Sequence, residues 1–465
     1  PICIHPSTSE INAALTNVQS NSGSSASEGL RSYIGRMNYS AYDKYLLEFS
    51  FRVDGSSKFV KGHQYGFFPT VALGWRFTEE EFLKKYLSSW LSSGKLRASW
   101  GKLGDNSGVD RFEQLETLTA MNYMSSDVVK GFVNKKMINK DLSWEVSTDI
   151  NVGLDLGFLN NRLRTEIDFY NRLRTGMNRP SEMSIHLTGA YSAPRANIGD
   201  LLNRGIELNL TWKDKIGNVE YSVNLNGAYN RTVLKEWNEF LSRGWVYLDM
   251  PYHFLYIYEN NGIAQTWQDI YNNTPQGLSP GDVIRKDLNG DGIIDGKDKK
   301  AYPNIQRDRP TTTYGITLQA AWKGFDISML FNGGLGRKDF WITDFNNTAF
   351  ADRRYASTWD HWTEPWSLEN RSGKWPRLGT STDRSDNSYW LYNMNYLRMK
   401  NIMLGYNLPQ KLLSKISMAN LRIYASAENL FTVTQYPGLD PEKKNSSRDL
   451  YPINRSFSIG LNVSF

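Results

Sequence analysis

The chain has 465 residues, of which 15 are Trp, 26 Tyr and 21 Phe, yet only 40% are hydrophobic and the mean hydropathy is −0.53. No apolar run approaches the roughly 18 residues of a membrane-spanning helix, which excludes helical transporters and receptors but not a membrane barrel, whose strands need only about 9–11 residues with every second one apolar. A net charge of +6 from scattered Lys and Arg builds no nucleic-acid-binding patch, and the single Cys3 excludes a disulfide framework or a cysteine zinc site.

Residues 1–29 read as a loop. Pro1-Ile2-Cys3-Ile4-His5-Pro6 lacks the charged start and apolar core of a signal peptide, and Ser20 to Ser27 is rich in Ser, Gly and Asn. From residue 30 the dominant period is two, the period of strands that turn alternate side chains to opposite faces. In 45–54, Tyr45, Leu47, Phe49, Phe51 and Val53 oppose Glu48, Ser50, Arg52 and Asp54. In 149–158, Ile150, Val152, Leu154, Leu156 and Phe158 oppose Asp149, Asn151, Gly153 and Asp155. In 161–172, Leu163, Thr165, Ile167 and Phe169 oppose Arg162, Arg164, Glu166, Asp168 and Tyr170. In 219–230, Val219, Tyr221, Val223, Leu225 and Tyr229 oppose Glu220, Ser222, Asn224, Asn226 and Asn230.

Further strands are predicted at about 30–38, 66–77, 94–103, 202–213, 250–260, 311–323, 325–335, 395–408, 419–430 and 455–465, roughly fourteen in all. Many reach ten residues, against about 5–6 for globular strands, and the polar face is too charged to be a sandwich core. Short turns at Leu159-Asn160, around Lys215-Ile216-Gly217 and at Gly324 alternate with long segments at 104–142, 173–201, 231–249, 261–310, 336–394 and 431–454. The fold expected is all-β: a transmembrane antiparallel barrel of the outer-membrane type, with short periplasmic turns and long extracellular loops. Trp75, Trp100, Tyr170, Trp212 and Tyr229 fit interfacial girdles, and the last strand ends on the aromatic Phe465.

The sharpest local motif is Asp287–Asp298, which matches the EF-hand calcium loop with oxygen ligands at positions 1, 3 and 5, Gly292 at the sharp turn and a carboxylate at position 12. The candidate ligands of a structural Ca2+ are Asp287, Asn289, Asp291, Ile293, Asp295 and Asp298; position 12 is Asp rather than Glu, and the competing reading is a metal-free Asx-rich turn. Enzyme signatures are absent: His5, His63, His186, His253 and His361 form no close ligand pair, and there is no G-x-S-x-G or P-loop. No catalytic residue is assigned. Trp341, Trp359, Trp362, Trp366, Trp375 and Trp390 crowd 336–394 and are read as loop packing ahead of sugar stacking.

The blocks Leu46–Phe59, Gly66–Arg76, Leu96–Gly101, Asn139–Glu145, Ile198–Asp200 with Asn203–Glu207, Asp287–Asp298, Tyr396–Pro409, Ala427–Thr432 and Pro437–Glu442 follow one another along the chain. Together and in this order they resemble the C-terminal barrel of SusC/RagA-type TonB-dependent outer-membrane transporters of Bacteroidetes. The resemblance implies a plugged barrel of about twenty-two strands, of which this chain would hold about fourteen, its plug and early strands lying outside the sequence. Residues 30–465 would be the C-terminal part of the barrel, with long extracellular loops at 261–310 and 336–394. The resemblance further implies import of a bulky glycan or peptide, energised through the TonB–ExbB–ExbD complex and assisted by a SusD-like surface lipoprotein, in a lipid and lipopolysaccharide membrane. The polar face carrying Arg162, Arg164, Glu166, Asp168, Glu220 and Asn224 would border the plug and the substrate path. The competing readings are a passive porin or surface glycan-binding barrel without energy coupling, and a secreted soluble glycan-binding or hydrolytic protein.

Overall fold

A computed structural model describes residues 26–464 apart from 88, 117, 125–127, 135–136, 184, 189–192, 240–246, 253, 307–308, 341–363, 378–386, 414–417 and 444–452. Cys3, most of the predicted 1–29 loop, Trp341, Trp359, Trp362 and Phe465 lie outside the described residues.

Thirteen strands form one antiparallel sheet in sequence order. They are β1 (Leu30–Ala41), β2 (Tyr45–Ser56), β3 (Tyr65–Trp75), β4 (Leu91–Asp105), β5 (Glu145–Phe158), β6 (Leu163–Pro180), β7 (Arg195–Ile216), β8 (Val219–Trp237), β9 (Thr312–Trp322), β10 (Phe325–Leu335), β11 (Tyr396–Asn407), β12 (Asn420–Thr434) and β13 (Ser456–Ser464). Neither β1 nor β13 pairs with a further strand among the described residues.

The register explains the two-faced sequence. One row across the sheet reads Tyr39, Leu47, Leu73, Ala98, Val152, Phe169, Ile206, Tyr229. Of these, Tyr39, Leu73, Val152, Phe169, Ile206 and Tyr229 are exposed. An apolar belt of this width, uncovered by protein, is a membrane-contact surface. The next row reads Leu46, Gly74, Arg97, Gly153, Asp168, Glu207, Ala228 and faces the other way. This is the polar inner face.

Tight turns close one end of the sheet. Lys323 and Gly324 both take positive φ between Trp322 and Phe325, the twist that suits a two-residue hairpin. At the same end Glu80 accepts from the Tyr45 hydroxyl at 2.6 Å, the Trp75 indole at 3.2 Å and Lys44 at 3.3 Å. The Tyr45 and Trp75 donors hold its carboxyl below the usual carboxylate range.

The opposite end carries the mass of the connections, with cores of its own. Leu255, Ile257, Val283, Phe340, Trp375, Trp390, Met394 and Tyr436 bury together there, and Phe59, Phe68, Val109, Leu142 and Trp144 form a second cluster. One prediction is corrected. The strand expected at 250–260 is not part of the wall: Phe254–Tyr258 pairs with 299–306 as a loop hairpin. Its pattern is buried, buried, half-buried, buried, half-buried rather than alternating, because it sits inside the loop core. The long segments expected at 231–249 and 261–310 thus merge into one connection between β8 and β9. Three further loop hairpins escaped the period-2 reading: 118–124 with 128–134, 260–263 with 283–285, and 338–340 with 391–393.

Candidate functional site

The inner face is organised by arginines that reach across a whole strand. Arg97 on β4 bonds Asp155 on β5 at 2.7 Å and, passing over Gly153, Asp168 on β6 at 2.9 Å. A Cβ at Gly153 would stand 2.6 Å from the Arg97 guanidinium carbon, so only glycine leaves room for the bridge. The device recurs: Arg422 on β12 crosses over Gly405 on β11 to Asp326 on β10.

The inner-face residues singled out from sequence fall into this polar lining or its turns. Arg162 pairs with Asp214, Glu166 accepts from Asn209, Lys215 pairs with Glu220, and Asn224 donates to Asn209 at 2.7 Å and Thr211 at 2.8 Å. Tyr170 does not join a girdle. It pairs with Gly205, and a Cβ there would meet its hydroxyl at 2.6 Å, which places the ring on the inner face.

Toward the loop end the lining becomes arginine-rich. Arg172, Arg174, Arg179, Arg195 and Arg309 surround a cavity of about 640 Å³ that only Asp110 and Glu145 line as carboxylates. Glu145 is buried and accepts from the Asn178 amide at 2.8 Å, while Arg174 bonds both Glu145 and Asp105. Arg172 holds Asp149 at 2.6 Å. These arginines went unnoticed in sequence, although Arg172-x-Arg174 repeats the Arg162-x-Arg164 spacing at the start of the same hairpin arm.

The roof is tied down by two buried cations. Arg398 on β11 bonds Asp440 at 2.7 Å and Thr432 at 2.9 Å, and also pairs with Glu442. Arg337 donates to the carbonyls of Pro441, Glu442 and Lys443, each at 3.1 Å. The Pro437–Glu442 block is therefore an anchor for the mouth. Trp366, Trp375 and Trp390 are buried, as the packing reading expects.

The predicted calcium loop closes on its own amides. Asp287 accepts from Gly290 at 2.6 Å and Gly292 at 2.9 Å, and both glycines have positive φ. Burial pushes the Asp287 carboxyl up, but these amides and the Thr274 hydroxyl outweigh it and hold it below the usual range. Asn289, Asp291 and Asp295 cap the amides of Asp291, Ile293 and Lys297. Asp298, fully buried, accepts from Leu288 at 2.9 Å and Asp295 at 2.8 Å. Among the described residues no three His, Cys, Asp or Glu side chains converge as a metal cage. The donor set itself, all oxygen, is the kind calcium takes.

The family described as TonB dependent receptor-like, beta-barrel, matches residues 6–276. The chain belongs to that family. It is 31% identical to TonB-dependent receptor P3 of Formosa agariphila, over 94% of this chain and 45% of that protein. It is likewise 31% identical to TonB-dependent receptor SusC of Bacteroides thetaiotaomicron, over 94% of this chain and 44% of that protein. Among solved structures, the RagAB peptide transporter superposes with a TM-score of 0.76 at 25% identity, over 94% of this chain and 47% of that one. The chain thus spans about half the length of the relatives it matches. It is a SusC/RagA-type outer-membrane β-barrel, from a family of transporters and receptors rather than enzymes, and its exposed apolar belt is the lipid-facing surface.

Proposed function

We propose that the chain forms the C-terminal wall and the extracellular loops of an energised importer of bulky nutrients, glycan or peptide. The observation that carries this reading is the likeness to SusC and RagAB over nearly the whole described wall and its loops. In this reading the edges of β1 and β13, unpaired among the described residues, receive the remaining strands of a barrel of about twenty-two, whose lumen is plugged. TonB, driven by ExbB and ExbD, pulls on that plug, and a SusD-like lipoprotein covers the loop end. Uptake of the cargo by cells should stop when TonB is deleted or the proton gradient is collapsed; uptake that persists under both conditions would make the barrel a passive porin.

The 287–298 loop holds a structural Ca2+ in the same reading, with Asp287, Asn289, Asp291, Asp295 and Asp298 offering side-chain oxygens and Ile293 its carbonyl. The ion would stiffen a loop of the mouth and take no part in chemistry. Chelation should speed protease cleavage within 260–310 and added calcium should reverse it, while Asp291→Asn blunts both responses. Cleavage indifferent to calcium would leave the loop as an Asx-rich turn.

A further inference from the structure

The arginine-lined cavity at the loop end of the inner wall has a composition that the wall's own architecture does not require. Of its cations, Arg174 is committed to Glu145 and Asp105, and is structural. The others keep a free side. Arg172 uses only two of its nitrogens, both on one oxygen of Asp149. Arg195 meets the exposed Asp110 at 3.3 Å. Arg179 donates to the Tyr252 hydroxyl at 2.8 Å with its guanidinium 5.8 Å from the ring centre. Arg309 is exposed and meets no partner among the described residues.

Between these cations lies a buried acceptor with nothing to accept: Asn203 Oδ1 has no hydrogen-bond partner. It shares the cavity with Ser107, Ser147 and Thr232, and only Met177 and Leu201 supply apolar wall. Planar guanidinium forks suit carboxylate or sulfate oxygens. A buried carbonyl oxygen requires a donor such as a hydroxyl. One aromatic ring beside hydroxyl and amide side chains suits a sugar face. A peptide would instead call for several apolar pockets, and Met177 and Leu201 are the only aliphatic side chains of the lining.

We propose that this cavity is a binding site for an acidic oligosaccharide, its anion a uronate carboxylate or a sulfate ester, held by Arg172, Arg179, Arg195 and Arg309, with Asn203 Oδ1 accepting a hydrogen bond from a sugar hydroxyl. This rests on the import reading and narrows its cargo. The test uses the full-length transporter in detergent and isothermal titration calorimetry with four probes: an oligogalacturonate, a sulfated oligosaccharide, a neutral maltooligosaccharide and an aspartate-rich peptide. The first or second should bind, which also tells carboxylate from sulfate, and raised salt should weaken it. Arg195→Gln and Arg309→Gln should each lower the affinity about tenfold, whereas Lys61→Gln, in an exposed loop-end turn, leaves it unchanged. Equal heat-modifiability of all variants on gels controls for folding. Preference for the neutral glycan or the peptide, or arginine variants with unaltered affinity, would overturn the assignment. Failure of the import reading shows separately, as cellular uptake that is independent of TonB.

Discussion

The wall and the loop body solve the folding problem in opposite ways. Across most of the wall the apolar face meets lipid and the polar face meets the lumen; Phe68 of β3 is among the few wall side chains that join a loop-end cluster, and the ladder with strand-crossing arginines holds the strands in place. The described residues of the loop body, which lie within 254–306, 337–394 and 435–443, are built like a small soluble domain, with buried tryptophans and buried ion pairs. The wall should therefore tolerate damage to the loop body. Four substitutions test that separation.

Trp390→Ala should act most strongly, because the side chain is 2% exposed in the loop core. Truncating a buried aromatic costs about 3–5 kcal/mol. Hydrogen exchange should speed up across the loop hairpins while the barrel keeps its melting temperature; loss of the barrel as well would abolish the distinction. Arg398→Ala comes next, since it strands Asp440 and Glu442 at a position where arginine and aspartate are 3% and 2% exposed. Removing one partner of a buried pair costs up to about 3–5 kcal/mol, read as faster protease cleavage at 436–443. Arg398→Lys should restore only part of the loss, lacking the forked geometry.

Gly153→Ala probes the wall. Its Cβ would push the Arg97 guanidinium off Asp168, at about 1–3 kcal/mol for overpacking. The effect should appear as a lower temperature of heat-modifiability with the loops unchanged. The smallest effect concerns Glu259, which Lys300 and Lys286 hold below its usual range through hydrogen bonds. A depressed folded value means stability present at neutral pH and lost as pH falls below the ordinary glutamate value of 4.5. Loop exchange should accelerate in that acid range, and Glu259→Gln should remove the step.

The wall was legible from sequence because lipid and lumen impose strict alternation, so thirteen of the predicted strands recur, several of them longer than expected. The 250–260 strand was misplaced because period and propensity identify a strand but not its partner. A second clue was available: placing that segment in the wall sets two long connections in succession and breaks the short–long alternation. The arginine cavity could not be read in advance. Arg172, Arg195 and Arg309 lie on or beside three strands, and only the register unites them. Nor could the role of Pro437–Glu442, since its cation partners come from β11 and from the turn after β10.

The loop core has a consequence for assembly. Its residues come from three connections separated by pairs of strands, so they can meet only after the intervening strands have paired. A slip of one residue in that pairing would turn a strand inside out and carry Tyr436 or Trp390 away from its neighbours. Closure of the loop core is thus a checksum on β9 to β12 beneath it: the core can be completed only if those strands were laid down in the right frame.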